Sequence, residues 1–492
     1  MLNIIADAQK KAVNDTIGIE DIQDSVEKIL AESGYYPVMK AYILYRQQHA
    51  NIRDAASSYI NFSDLMNGYL DRLDWRVKEN STVQYTLGGL ILSNSGAVTA
   101  NYWLNNIYDK EIKEAHKNCL IHLHDLSMLS GYCAGWNLKD LIMRGLNGVE
   151  GKISSAPAKH LGVLCNQMVN FIGIMQNEWA GAQAFSSFDT YLAPFVKVDN
   201  LSYREVKQAI QSFVFGVNTP SRWGTQAPFT NVTIDWKIPE DLKNLPAVVG
   251  GKEMSFTYGE CQKEADMINK AFLEIMNEGD ANGRGFQYPI PTYSITRDFD
   301  WSDTENNRLL FEMTAKYGTP YFANYINSDM DPSDVRSMCC RLRLDLRELR
   351  RRNGGFFGAG ESTGSVGVVT LNLPHIAYIS KDENEFWKNL DHYMDVAARS
   401  LRIKRETITK LLENGLYPYT KAYLGTFNNH FSTIGLVGGN EMCLNAKWLG
   451  KDLTHKESQD FVERMLNHMR ERLADYQEQY APDLYNLEAT PA

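Results

Sequence analysis

Apolar residues recur at three- and four-residue intervals in several long stretches of the chain and gather into short unbroken runs between them. In residues 12–52, Ile17, Ile19, Ile22, Val26, Ile29 and Leu30 recur at roughly helical spacing. Gly34-Tyr35-Tyr36-Pro37 interrupts the pattern, and Val38–His49 resumes it as a second helix with Tyr42 and Tyr45 on one side. This opening unit is too small to bury much core of its own. From about residue 60 the pattern changes. Short apolar runs predict strands at Leu120–Leu123, Phe229–Ile234, Tyr321–Ile326, Val366–Leu371 and Thr433–Val437. Helices are predicted at Ala158–Gln176, Tyr203–Asn218, Tyr258–Glu278, Glu383–Asn414 (in one piece or two) and Lys456–Tyr480. Strands alternating with helices indicate an α/β fold with parallel strands. Gly, Pro and Asn cluster at the predicted strand ends, where such folds place their sites.

Composition narrows the function. The chain has 492 residues, 44% of them hydrophobic, which is enough for one large domain and a small one. A net charge of -10 argues against a general nucleic-acid binder, because phosphate backbones call for a basic face. No run of about 18 apolar residues is present, so no membrane span is expected. The segment Met1–Lys11 reads as polar helix and not as a signal peptide. Seven cysteines without a CxxC pair point to a reducing, cytoplasmic setting.

Four runs carry candidate chemistry. Arg336-Ser337-Met338-Cys339-Cys340-Arg341-Leu342 sets thiols among polarizable and cationic groups able to stabilise thiolate or sulfur-radical character. Glycine-rich stretches at 354–358 and 364–370 follow and would let backbone pass close to a small substrate. The plain alternative is a pair of small buried residues. The second run, Ile121-His122-Leu123-His124-Asp125, hints at a metal, since alternation puts both histidines on one face of a strand. No third ligand is evident, and no metal is expected. Beyond it, Gly131-Tyr132-Cys133-Ala134-Gly135-Trp136 flanks a cysteine with small residues that leave its sulfur reachable, or else simply buries it. The third run, Phe431–Glu441, reads as a strand entering a Gly438-Gly439 turn and a helix, which offers free N–H groups to an anion. The fourth, Asn486–Ala492, reads as a strand leading into a small-residue loop.

Taken together, Met-Cys-Cys-Arg-Leu, Gly-Tyr-Cys-Ala-Gly-Trp, Gly-Leu-Val-Gly-Gly-Asn-Glu, the terminal Leu-Glu-Ala-Thr-Pro-Ala and Asn94–Asn101 resemble the anaerobic, class III ribonucleotide reductases, which are glycyl-radical enzymes. The similarity runs from about residue 60 to the end. It implies a ten-stranded α/β barrel of two half-barrels over residues 56–492, with a central finger loop. Residues 1–55 would be a small helical segment resembling part of an ATP cone, its nucleotide-reading N-terminal half missing.

The resemblance puts Met338–Cys340 at the finger tip, with Cys340 as the thiyl site, Cys133 as the opposing thiol and Met338 as a mark of the formate-dependent branch. It implies substrate contacts from Cys339, Ser95, His124, Gly438, Gly439, Asn440 and the phosphate loop Ala489, Thr490, Pro491 and Ala492. The Glu178–Asp189 stretch resembles the family's dimer-helix region, so Gln183, Ser186 and Asp189 are expected at an effector site near a homodimer interface. The implied partners are a ribonucleoside triphosphate with Mg2+, ATP or deoxynucleotide effectors, formate, and a radical S-adenosylmethionine activase. The glycyl radical and a structural zinc belong to a motif outside this chain, so the chain as given is expected to bind nucleotide without turning it over. Two other readings stand beside this one: a formate acetyltransferase-like glycyl-radical enzyme, and a non-catalytic nucleotide-binding regulator.

Overall fold

The computed structural model describes residues 2–11, 17–46, 62–71, 85–221, 226–326 and 362–490. Two compact units divide the chain, Met1–Leu65 and Met66–Ala492. In the first, Leu2–Lys11 is the expected polar helix, and helices Ile19–Glu32 and 36–46 appear where the hydrophobic periodicity predicts them, with the break at Gly34 and Tyr35. Charge pairs tie them together: Lys28 to Asp7 at 2.7 Å, and Arg46 to Asp24 and Glu27 at 2.7 and 2.8 Å. Solvent screens pairs of this kind, so they contribute little to stability.

The second unit is built on one mixed sheet. Its strands are β1 (Ile121–Leu123), β2 (Cys133–Trp136), β3 (Gln183–Phe185), β4 (Thr230–Ile234), β7 (Ile290–Ile295), β8 (Tyr321–Asn324), β9 (Gly364–Asn372), β10 (His430–Val437) and β11 (Leu484–Ala489). A separate hairpin pairs β5 (Pro246–Val249) with β6 (Lys252–Thr257). The sheet order is β11-β10-β9-β2-β3-β4-β7-β8. Strands β2, β3, β4, β7 and β8 run parallel to one another, as do β9, β10 and β11. The two parallel sets meet antiparallel, Cys133 opposite Ser365 and Ala134 opposite Gly364, while β1 pairs antiparallel with the far end of β9. This is the expected α/β architecture, with nine strands in the main sheet among the described residues where ten were expected. The expected finger loop falls within 327–361, outside the described residues.

Strand β9 is buried along nearly its whole length, as expected of a strand covered on both faces. Helix Glu383–Glu413 covers one face of β9 and β10 as a single unbroken element of 31 residues, capped by the Asp382 carboxylate, which accepts from Glu385 N at 2.9 Å. Its stripe of Leu390, Met394, Ala397, Leu401, Ile408 and Leu412 is buried with Val366, Val369, Leu371 and Ile434 in the main core. A register shift between Phe431 and Ser432 marks a bulge against β9, which re-aims side chains along that strand. The Glu178–Asp189 stretch is not a continuous helix: β3 occupies its middle, and helix Phe188–Val198 begins at its end. Among the described residues no helix is long and apolar enough to cross a membrane.

Candidate functional site

Residues facing one another in register share a face of the sheet, and this places Cys133 in polar company. Cys133 opposes Ser365, whose Oγ shares a 2.9 Å hydrogen bond with Thr433 Oγ1; Thr433 in turn donates to Asn486 Oδ1 at 2.8 Å. A second row sets His122, Thr370, Gly435 and Glu488 side by side. Cys133 is fully buried yet lies apart from the helix-side core, in a small cluster of its own with Ala182, Tyr132 and Phe229. Its neighbour Ala134, pointing the other way, belongs to the main core.

A cation reaches this region from behind. Lys404 lies on the buried stripe of helix Glu383–Glu413 and is 4% exposed. Its side chain runs against Gly367, where a Cβ would come within 2.9 Å of Lys404 Cδ and 3.2 Å of Nζ. Burial pulls the ammonium's pKa down, while the fields of Asp125 and Cys133 oppose that shift. Sequence reading missed Lys404, although a lysine three residues after Leu401 and four before Ile408, on the apolar face of a helix, is a visible signal.

His124 was expected at the site, and it stands beside the second row. Its Nε2 lies 2.8 Å from Thr370 Oγ1, and Thr370 Oγ1 lies 2.9 Å from Thr490 Oγ1. Thr490 N also donates to Leu436 O at 3.0 Å, which continues the β10–β11 pairing past Ala489. Gly435 is what lets the two threonines meet: a Cβ there would fall 2.3 Å from Thr490 Oγ1 and 2.7 Å from Thr370 Oγ1. The His124 ring is half-buried, and burial first, then the charges of His122, Lys404 and His116, push its pKa down to about 3. The rings of His116, His122 and His124 follow one another at centroid distances of 5.5 and 4.6 Å. No cluster of three metal-ligating groups occurs among the described residues.

The other expected residues distribute unevenly. Ser95 is exposed on helix Leu87–Tyr102, next to Gly96, which packs on Ser127 just beyond His124. Gly438 adopts φ +75° and abuts Pro374, opening the short helix Gly439–Asn445; the Asn440 side chain accepts from Leu453 N at 3.0 Å. Gln183 and Asp189 are both hydrogen-bonded within the fold. Gln183 accepts from Trp136 Nε1 at 2.7 Å and donates to Gly181 O. Asp189, 1% exposed, accepts from Asp235 N, Trp236 N and Asn269 Nδ2, each at 2.9 Å. Burial raises its pKa and those hydrogen bonds oppose the rise. Ser186 is buried between them in sequence. Met338, Cys339, Cys340, Pro491 and Ala492 lie outside the described residues.

A buried thiol on a polar sheet face, with a cation behind it and a hydroxyl pair leading to the end of β11, invites comparison with known folds. A crystal structure of the anaerobic ribonucleotide reductase from Thermotoga maritima with dATP bound in the specificity site superposes with a TM-score of 0.69 at 20% identity, covering 91% of this chain and 77% of that one. The fold is therefore of the anaerobic ribonucleotide reductase type. The family model for anaerobic ribonucleoside-triphosphate reductase matches residues 79–492, and the chain belongs to that family. A model for the ATP cone domain matches residues 1–51. Among curated relatives, the anaerobic ribonucleoside-triphosphate reductase of Haemophilus influenzae is 24% identical over 430 residues, 80% of this chain and 56% of that protein. The Escherichia coli protein of the same name is 23% identical over 423 residues, 78% and 54% respectively. The chain thus spans about half the length of the curated relatives it matches.

Proposed function

We propose that this protein reduces ribonucleoside triphosphates to 2'-deoxyribonucleoside triphosphates by thiyl radical chemistry, with formate as reductant and nucleotides as allosteric effectors. The observation that carries the reading is Cys133, a thiol held on the polar face of the sheet within this family's fold. A ribose 2'-hydroxyl is a poor leaving group until a hydrogen atom is taken from C3', and only a small, dry site can hold the resulting radical. Complete burial of Cys133 beside Ala182, Tyr132 and Phe229 fits that need for water exclusion. The glycyl radical implied by this family would supply the oxidising equivalent. Cys340 abstracts from C3' in this reading, Cys133 gives hydrogen to C2', and Met338 and Cys339 flank the sugar. In balance, the 2'-oxygen leaves as water with a proton, formate gives up two electrons, and carbon dioxide departs.

The triphosphate, with Mg2+, binds between the Gly438-Gly439-Asn440 turn and the segment Ala489–Ala492, where backbone N–H groups suit phosphate oxygens. Ser95 and His124 complete that side. The match of residues 1–51 to an ATP cone supports regulation by nucleotides. A homodimer, a radical S-adenosylmethionine activase and a structural zinc complete the working enzyme. The test is anaerobic assay of the full-length protein with its activase, S-adenosylmethionine, a reductant, formate and CTP. Formate-dependent dCTP is the expected product. No product from the activated protein, or undiminished product from Cys133→Ala, would overturn the proposal.

A further inference from the structure

Three groups from distant parts of the second unit converge in one line: His124 after β1, Thr370 on β9 and Thr490 after β11. We propose that they form a directional hydrogen-bond relay that aims the Thr490 hydroxyl at a phosphate oxygen of the bound nucleotide, making His124 and Thr370 positioning residues. The inference rests on the proposed nucleotide reading of the β11 end.

The argument is one of proton counting. Each threonine hydroxyl has one hydrogen to give, and a neutral imidazole carries one N–H. With that hydrogen on Nε2, His124 donates to Thr370, Thr370 donates to Thr490, and the Thr490 hydrogen is free to point outward. With the hydrogen on Nδ1, the whole chain reverses. Thr490 then spends its hydrogen on Thr370 and turns only lone pairs toward an incoming anion. An anion bound at Thr490 therefore selects the Nε2–H form, and the relay hands that choice back to a ring two hydrogen bonds away. The burial that keeps His124 neutral leaves both tautomers available for selection.

The packing holds the line in place. Thr370 sits in register with both His122 and Gly435, and Gly435 lies in register with Glu488, two residues before Thr490. A side chain at Gly435 would occupy the point where the two hydroxyls meet. His122 braces His124 edge-on, and His116 accepts from Leu123 N at 3.2 Å, which fixes the strand that carries them.

The experiment uses the whole 492-residue chain and titration calorimetry with CTP, tripolyphosphate and cytidine. Thr370→Val, similar in shape but without the hydroxyl, should weaken CTP and tripolyphosphate by about tenfold or more while leaving cytidine unchanged. Thr370→Ser should restore most of the loss, and His124→Gln, which keeps a donor near the Nε2 position, should bind better than His124→Leu. Ring nitrogen chemical shifts of His124 should move toward the Nε2–H form when tripolyphosphate binds. Parent-like CTP affinity in Thr370→Val, or equal losses for CTP and cytidine, overturns the relay alone. Failure of the parent chain to bind CTP or tripolyphosphate overturns both the relay and the nucleotide reading beneath it.

Discussion

A Cβ placed on Gly364 would lie 2.1 Å from the carbonyl oxygen of Cys133 and 3.0 Å from Ala134 Cα. These residues form the seam where the two parallel halves of the sheet meet antiparallel, so backbone touches backbone at the strand that carries the thiol. No flexible side chain is available there to give way. Gly364→Ala should therefore destabilise the fold by more than the roughly 1–3 kcal/mol of ordinary overpacking, and should displace Cys133 as well. Gly162, in helix Leu161–Met175, has nothing within 4 Å of its would-be Cβ and serves as the control. Gly162→Ala should change stability by no more than about 1 kcal/mol. Urea unfolding of both variants decides the matter, and similar midpoints would refute the seam argument.

Stability should also depend on pH through His430. The ring is fully buried against Trp179, with centroids 5.3 Å apart, and neither nitrogen has a hydrogen-bond partner among the described residues. Burial first, then the Arg405 charge, push its pKa down to about 3. The unfolded value is near 6.5, so the unfolded chain takes up a proton that the folded one refuses. Stability from this group is complete above about pH 6.5 and is lost as pH falls from there toward 3, at about 1.4 kcal/mol per pH unit. His124, also held near 3, adds a loss of the same sign. His430→Phe keeps the ring contacts and should remove one proton's share of the slope between pH 6 and 5. An unchanged slope would mean that His430 is protonated in the folded protein.

Much of the fold is legible because its signals are local. Helix Tyr203–Asn218 has the predicted limits, and Ser202 with Glu205 closes its start, Glu205 accepting from Ser202 N at 2.8 Å. Strands β9 and β10 announce themselves by long apolar runs. Strand β2 does not, since Cys-Ala-Gly-Trp is short and glycine-bearing and its strand is defined by pairing with β3 and β9. Likewise, β3 is three residues long, and its helix-like neighbours disguise it. At the site, the cysteine and histidine stand out by residue type. Thr370 and Lys404 do not, because their meaning lies in what distant parts of the chain bring against them, as with Thr370, whose partners lie 120 and 246 residues away. Gly435 falls within a predicted strand, whereas its role as the gap between two hydroxyls needs the third strand.

Asp189 separates a structural role from a ligand-binding one. Its carboxylate accepts from two backbone N–H groups in the loop after β4, where Trp236 holds φ +67°, and from Asn269 on helix Gln262–Glu278. Asp189→Ala leaves those buried donors without an acceptor, at a cost of about 1–3 kcal/mol for each. The expected result is a large loss of thermal stability with deoxynucleotide affinity of the folded fraction little changed. A variant of parental stability that binds dATP or dTTP tenfold more weakly would return Asp189 to an effector site.

The adjacent cysteines provide the sharpest test of the chemistry. If Cys340 is the thiyl site, its sulfur must take a hydrogen atom from C3' in every turnover, and no neighbouring group can substitute for a thiyl in that step. Cys339, the adjacent thiol, has no hydrogen-abstraction step in the proposed chemistry. In the activated full-length protein, Cys340→Ala should abolish dCTP formation, and Cys339→Ala should leave a measurable fraction. Cys133→Ala should also lose turnover while binding CTP with parental affinity, because its proposed role begins after substrate is in place. Binding is read by calorimetry and turnover by product chromatography on the same preparations. Equal loss in the Cys339 and Cys340 variants, or survival of activity in Cys340→Ala, would exclude Cys340 as the abstracting thiol. Loss of CTP affinity in Cys133→Ala would instead assign that thiol to substrate binding.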